Sequence, residues 1–297
     1  MRNIPLLLGS MLLSIYMIFA VGGSYLPFVD SELKDEVMRR DESGLSIPPY
    51  PPSEKNWLGS DKSGRDLLSL LVIGTRETLI LVFLIAGFRY LLAIPLGAAA
   101  ANFKFFRWLL DSWNYLLSFI PPIFLVALII GLPFIYFSKN LFFWYVFILA
   151  IVEVGRVAEI IRSQMSELSV RDFVEAAVTS GTNKSNMFKR HYWPHLRPLV
   201  FTSFAADLGR VLFLMAQLGV IQIFVYREFV STLGGAYQNI STSLSYPVLL
   251  QSILRDIWVH TWIPYYTVLF IAVLIITFFL LSEGLKRYFK RKFRMMV

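Results

Sequence analysis

Cysteine is absent from this 297-residue chain, which excludes a disulfide framework, a thiol nucleophile and a thiolate metal site. Histidine occurs only as His191, His195 and His260. No Walker phosphate loop, H-E-x-x-H or G-x-S-x-G pattern is present, so the chemistries those motifs carry are excluded, and ATP hydrolysis with them. His191 and His195 stand at the i,i+4 spacing of a metal pair, but Pro194 lies between them; no metal or cofactor is expected on this chain. Charge is scarce as well: 16% of residues are Asp, Glu, Lys or Arg, against roughly 25% in a soluble domain.

Apolar residues occupy the remaining positions. The chain is 56% hydrophobic and 16% aromatic, with a mean hydropathy of +0.60, more than a soluble fold of this length buries. Lipid is the solvent this composition requires. The hydropathy pattern predicts six spans, at 4–26, 78–101, 113–137, 141–161, 199–225 and 263–284, each near the ~20 residues that cross a hydrocarbon core. The first follows a short n-region like that of a signal peptide, but its apolar run is longer and no small-x-small cleavage site follows, so it reads as a span. Prolines 95, 121, 122, 133 and 264 fall within spans and are expected to kink or break them.

The formal charge is +8 and the sequence pI near 9.6. Nucleic acid is one explanation of such a balance, but the basic residues flank the apolar spans, which favours the positive-inside distribution. Arg2, Lys104, Arg107, the 162–198 loop and the tail from Lys286 to Arg294 carry most of them. Segment 27–76 instead mixes its few cations with Asp30, Glu32, Asp35, Glu36, Asp41, Glu42, Glu54, Asp61 and Asp66. Both termini and the 162–198 loop are therefore expected in the cytoplasm, and 27–76 and 226–262 outside. The tail interleaves Tyr288, Phe289 and Phe293 with cations, as in a juxtamembrane anchor on anionic lipid.

Residues 175–194 form a polar, basic island between two apolar segments. Val174, Ala176, Ala177 and Val178 predict a helix with a small-residue face; Gly181 breaks it; Met187, Phe188 and Tyr192 start a second helical pattern that Pro194 is expected to end. Paired alanines let another surface approach the backbone, and Glu175 offers a carboxylate to a basic partner. Such a hairpin suits docking better than chemistry. On E-A-A alone an ordinary basic loop would be the simpler reading, because the tripeptide is common.

Two further groups are candidates for function. Arg89, Glu153, Arg156, Asp207 and Arg210 lie within apolar spans, where an unpaired charge costs at least ~2.5–3.5 kcal/mol. Glu153 with Arg156, and Asp207 with Arg210, stand at i,i+3, where each pair can neutralise itself; the group either lines a translocation path or locks helices together. Segment 27–76 passes through Ile47-Pro48-Pro49-Tyr50-Pro51-Pro52 and ends in a turn cluster at Gly59, Asp61, Gly64, Arg65 and Asp66, which predicts an ordered loop folded back on the membrane. Segment 226–262, with Gly234-Gly235 and an apolar stretch around Pro247 to Leu254, is expected to dip partly into the membrane.

The pattern E-A-A-x-x-x-G at Glu175 to Gly181, with His191 and Pro194 beyond, resembles the signature of ABC-importer permeases of the oligopeptide/dipeptide/nickel family. Asn56-Trp57-Leu58-Gly59-Ser60-Asp61-Lys62-Ser63-Gly64-Arg65-Asp66-Leu67-Leu68-Ser69 is similar to the L-G-T-D-x-x-G-R-D-x-L-S segment of that family's C-type subunit. The resemblance runs from Pro48 to Pro198, with a weaker echo at Ser282 to Lys286. It departs after the fifth span, where Ala216 to Gln222 and Tyr226 to Tyr246 lack the family's usual motifs.

The resemblance implies an all-α membrane protein of about six transmembrane helices, the type I ABC importer permease fold. Residues 1–76 would hold the first helix and an extracytoplasmic segment, and 77–297 a five-helix permease core with the coupling loop 162–198. It also implies a heterodimer with a second, B-type permease in a bacterial cell membrane. Two cytoplasmic ABC ATPases would carry ATP and Mg, and an extracytoplasmic substrate-binding lipoprotein would deliver peptide or nickel ligand. ATPase coupling would fall to Glu175, Ala176, Ala177, Gly181, Met187, His191 and Pro194, with transport by alternating access. A permease-derived sensing or scaffolding subunit is the alternative.

Overall fold

A computed structural model describes residues 3–41, 44–226, 228–231 and 237–294. Arg2, Glu42, Gly234 and Gly235, and the side chains of Asp41, Lys184 and Arg294, lie outside the described residues. Helices come in the order α1 (Ile4–Gly22), α2 (Leu67–Asn102), α3 (Lys104–Phe119), α4 (Pro122–Ile130), α5 (Pro133–Tyr136), α6 (Leu141–Val152) and α7 (Val154–Ser169). Next are α8 (Asp172–Thr179) and α9 (Lys184–Asn186), which leads through a π-helical turn at Met187–Tyr192 into α10 (Trp193–Val220); α11 (Ile253–Val259) and α12 (Trp262–Arg294) follow. Strands among the described residues form two antiparallel hairpins: β1 (Arg39–Asp41) with β2 (Gly44–Ser46), and β3 (Glu228–Ser231) with β4 (Tyr237–Ile240).

Among the described residues, five helical stretches are long and apolar enough to cross a membrane: Ile4–Tyr25, Leu67–Asn102, Leu141–Ser169, Met187–Val220 and Trp262–Lys292. The span expected at 113–137 is instead the pair α3 and α4, bent by 96°. Ile120 is extended, as a residue before proline prefers, and Pro121-Pro122 opens α4 rather than continuing α3. Residues 113–119 belong to a helix that starts at Lys104 and carries Arg107 and Asp111; Asp111 pairs with Arg162 of α7 at 2.8 Å. Counting the bent pair as one span restores six.

The second span also starts earlier than residue 78. Asp66 precedes Leu67, and its carboxylate accepts the Ser69 amide at 2.8 Å, satisfying a donor at the start of α2. Ser69, Thr75 and Thr78 depress the hydropathy of this first stretch, yet all three are fully buried. Thr75 and Thr78 donate to the carbonyls of Leu71 and Gly74 at 2.9 and 2.8 Å, so their burial leaves no hydroxyl unpaired. Pro95 sits inside α2 without ending it.

Two compact units are distinguished: Met1–Gly9 with Phe83–Val211 and Phe278–Val297, and Ser10–Val82 with Leu212–Thr277. In the first, Tyr90, Ala93 and Ala100 of α2, Val157 and Ile161 of α7 and Leu196 of α10 form a buried cluster. Helices in lipid associate through close packing rather than through expulsion of water, so small residues set the distances. A Cβ on Gly97 would lie 2.5 Å from the Ala158 carbonyl oxygen, and one on Gly284 would lie 2.5 Å from the Leu6 backbone.

In the second unit, segment 27–66 is folded rather than trailing. Gly59 and Gly64 both have φ of +82°, and a Cβ on Gly64 would meet the Glu36 carbonyl oxygen at 2.2 Å, so both the turn and the close approach require glycine. Lys62 pairs with the buried Asp256 of α11 at 3.2 Å, and Trp262 Nε1 donates to the Ser60 carbonyl at 3.3 Å.

Candidate functional site

The island expected to dock is a helical hairpin packed against the first unit's core. Val174, Ala177, Met187 and Tyr192 are buried in the same cluster as Met165 and Leu168 of α7. The opposite face of α8 is open: Glu175, Ala176, Val178 and Thr179 are exposed, and Gly181 follows with φ of +73°. Of the paired alanines, then, only Ala176 presents its methyl outward. Asp172 and Glu175 lie in the first turn of α8, where the helix dipole favours negative charge.

Pro194 does not end the second helical pattern. It occupies the second position of α10, and the helical path continues from Lys184 to Val220. A proline ring clashes with the carbonyl four residues back, and its nitrogen donates nothing. The π-turn at Met187–Tyr192 widens the helix just where that carbonyl, of Arg190, would stand. His191 is half-buried in this turn, whereas His195 is exposed with its ring 4.9 Å from that of Phe173. Among the described residues no group of three or more His, Asp or Glu is arranged to hold a metal ion.

Four of the five charges within the spans meet in one cluster. Arg89 is completely buried; its Nη1 lies 2.9 Å from both Glu153 Oε2 and Asp207 Oδ2, and its Nη2 donates to the Leu149 carbonyl at 2.7 Å. Arg156 pairs with Glu153 at 3.3 Å and also with the other oxygen of Asp207. Two guanidiniums and two carboxylates thus neutralise each other across α2, the α6–α7 junction and α10. The expected local pair of Asp207 with Arg210 does not form: Asp207 is 0% exposed and faces the cluster, while Arg210 is exposed on the outer side of α10. A buried carboxylate needs cations that are buried beside it, and Arg89 supplies one. Arg89 and Asp207 show no surface to a solute, whereas Arg156 keeps a third of its side chain accessible.

Residues 59–66 make a compact polar turn. Asp61 Oδ1 accepts the amides of Ser63 and Arg65, both at 2.9 Å, and Oδ2 accepts Arg65 Nη2 at 2.6 Å. Asp66, besides opening α2, accepts the Asn56 amide at 3.2 Å. Glu36 is held by Arg39 at 2.7 Å and Lys55 at 2.8 Å. The Arg39 hydrogen bonds, aided by Lys55, lower its carboxyl from the ordinary 4.5 to about 2.

Sequence reasoning did not find the fastening of residues 243–247. A Cβ on Gly74 of α2 would lie 2.2 Å from the Leu244 carbonyl, and one on Gly219 of α10 would lie 2.2 Å from that of Pro247. Glu77 accepts the Leu244 amide at 2.8 Å and the Ser243 hydroxyl, Thr78 Oγ1 accepts the Tyr246 amide at 3.1 Å, and the Thr75 and Tyr246 hydroxyls are 2.6 Å apart. Burial pushes the Tyr246 phenol well above its ordinary pKa. Glu77 at the edge of an apolar span was the available signal.

Residues 93–295 match the model of the family described as binding-protein-dependent transport system inner membrane component. Over 237 residues the chain is 27% identical to the oligopeptide transport system permease protein OppC of Haemophilus influenzae, covering 78% of this chain and 68% of that protein. It is 27% identical over 243 residues to OppC of Escherichia coli K12, covering 78% and 70%. Over 173 residues it is 22% identical to a probable D,D-dipeptide transport system permease protein, DdpC, of Escherichia coli, covering 58% and 56%.

Proposed function

The chain belongs to the binding-protein-dependent transport system inner membrane component family, and from that membership we propose that it is the permease subunit through which an ABC importer moves peptides into the cell. It is a multi-pass membrane protein and a transport permease rather than an enzyme. The relatives named above are transport permeases for oligopeptides and, in one case, D,D-dipeptides, which favours transport over a sensing or scaffolding role.

The observation that carries the mechanism is the two-faced hairpin at 172–192. Its inner face is packed into the first unit's core and its outer face, from Glu175 to Gly181, is unoccupied by this chain. A separate cytoplasmic ATPase gripping that outer face would move a lever already joined to α7 and α10. ATP and Mg would act on the ATPases, and closure of their dimer would rock the helices between inward- and outward-open states. A second permease and an extracytoplasmic binding protein complete the system. Of the charges within the spans, Arg89 and Asp207 are fully buried, whereas Glu153, Arg156 and Arg210 keep accessible surface.

The test uses the intact complex. Ala176→Trp adds bulk to the open face, and Glu175→Lys reverses a charge that suits a basic ATPase residue. Both variants are expected at normal abundance in the membrane, with reduced ATPase co-purification and loss of ATP-driven uptake of a labelled oligopeptide. Unchanged ATPase association and uptake in both would reduce the hairpin to a connecting loop.

A further inference from the structure

A groove of about 770 Å³ runs along α10, between α7 and α12, within the first unit. Leu199, Ala206, Ile160 and Phe289 contribute an apolar floor. The ionic side chains that line it are Arg171, Arg210, Lys286 and Lys290 against a single carboxylate, Glu167, with His195 beside them. Glu167 is held by Arg171 at 3.3 Å, and Glu283, on the same helix as Lys286, is held by Arg287 at 2.7 Å. Among the described residues no ion pair engages Lys286, Lys290 or Arg210.

The charge is concentrated at one end. Lys286 and Lys290 are one turn apart on the same face of α12, and Arg171 and His195 line the same groove where α8 begins. Arg210 stands fifteen residues beyond His195 on α10, or about 22 Å along the helix. A small anion would use the cationic mouth and leave the floor empty. A molecule with an anionic head and a hydrocarbon tail matches both.

We infer that this mouth binds the phosphate of an anionic phospholipid, with an acyl chain laid along the floor between Leu199 and Ala206. Basic pockets between membrane-spanning helices on the cytoplasmic side suit such headgroups. The inference rests on the proposed cytoplasmic placement of segment 162–198 and of the end of α12. Because α8 starts at the mouth and Phe173 touches His195 there, the lipid would sit against the base of the coupling hairpin.

Native mass spectrometry of the intact complex, purified in mild detergent, reads the retained lipid directly. Wild type is expected to keep anionic in preference to zwitterionic phospholipid. Each cation near a headgroup contributes about fivefold in affinity, so Lys286→Gln/Lys290→Gln is expected to lower retention by more than about tenfold. Lys292→Gln, exposed on the same tail, is expected to keep it. Adding short-chain phosphatidylglycerol to delipidated complex is expected to raise the Tm of wild type but not of the double variant, and inorganic phosphate alone to leave it unchanged.

Equal retention by the double variant, equal loss in Lys292→Gln, or equal stabilisation by inorganic phosphate would overturn the lipid site. So would efficient crosslinking of Ser203→Cys to the second permease in native membranes, because protein would then fill the groove. Selective lipid retention together with an external signal from a reporter fused after Ser185 would refute the topology and leave the lipid site standing.

Discussion

Arg89 shows how a single side chain is tolerated in an apolar helix. Its guanidinium has two carboxylates and a carbonyl within 2.9 Å, and breaking a buried pair typically costs about 3–5 kcal/mol because the abandoned charge stays buried. Arg89→Met is therefore expected to lower the Tm of the purified chain strongly, Arg210→Met hardly at all, and Arg89→Met/Asp207→Asn to recover part of the loss by restoring neutrality. Equal Tm values for Arg89→Met and Arg210→Met would refute the lock. Glu36 gives a pH prediction. Its folded pKa of about 2 lies below the ordinary 4.5, so its contribution is complete above 4.5 and disappears as pH falls towards 2. Protease protection of segment 27–66 is expected to fall across that window, and Glu36→Gln to flatten the dependence. A fall of the same size in Glu36→Gln would assign it to other carboxylates.

At the scale of elements, the fastened stretch 243–247 is the part of the second unit most exposed to test. Its carbonyls touch Gly74 and Gly219, and Glu77 holds its amide and hydroxyl groups. Hydrogen bonds to a charged group contribute about 1.5–3 kcal/mol. Glu77→Ala and Gly74→Val are each expected to release the stretch, read as faster proteolysis near Leu244 while α2 remains inserted. Unaltered cleavage in both variants would show that packing around Tyr246 suffices. The same scale explains the broken third span: Pro121-Pro122 was visible as a place to kink, but a window of mean hydropathy does not report a bend of 96°. Nor did it report the start of α2, because buried hydroxyls that bond to the helix's own carbonyls count as polar in sequence and behave as satisfied groups in the fold.

For the whole molecule, the distribution of Lys and Arg implies cytoplasmic termini and a cytoplasmic 162–198 loop. A reporter fused after Ser185 is expected to register inside, and one fused after Pro51 outside. Reversal at either position would refute the arrangement. The family match spans 93–295, so it takes in the hairpin, the basic tail and Glu153, Arg156 and Asp207 of the charge cluster, but neither Arg89 nor the turn at Gly59 to Asp66, which the motif resemblance reached independently. Continuity of the match through 216–262 also places the divergent stretch inside the family's own domain.

Sequence by itself determined the membrane solvent, five of the six expected apolar crossings and the helix-turn-helix of the 172–192 hairpin, because each is written in neighbouring residues: long apolar runs, flanking cations, and E-A-A-x-x-x-G between them. Only the tertiary structure decided which charges pair. Asp207 and Arg210 are three residues apart, but the pairing that forms joins Asp207 to Arg89 across 118 positions. In a low-dielectric interior a carboxylate must find its cation in space, and spacing along one helix does not record what the neighbouring helix presents. The same holds for Ala176 and Ala177. They are adjacent in the chain, but the 100° turn of an α-helix between successive residues sends one to the open face and the other into the core.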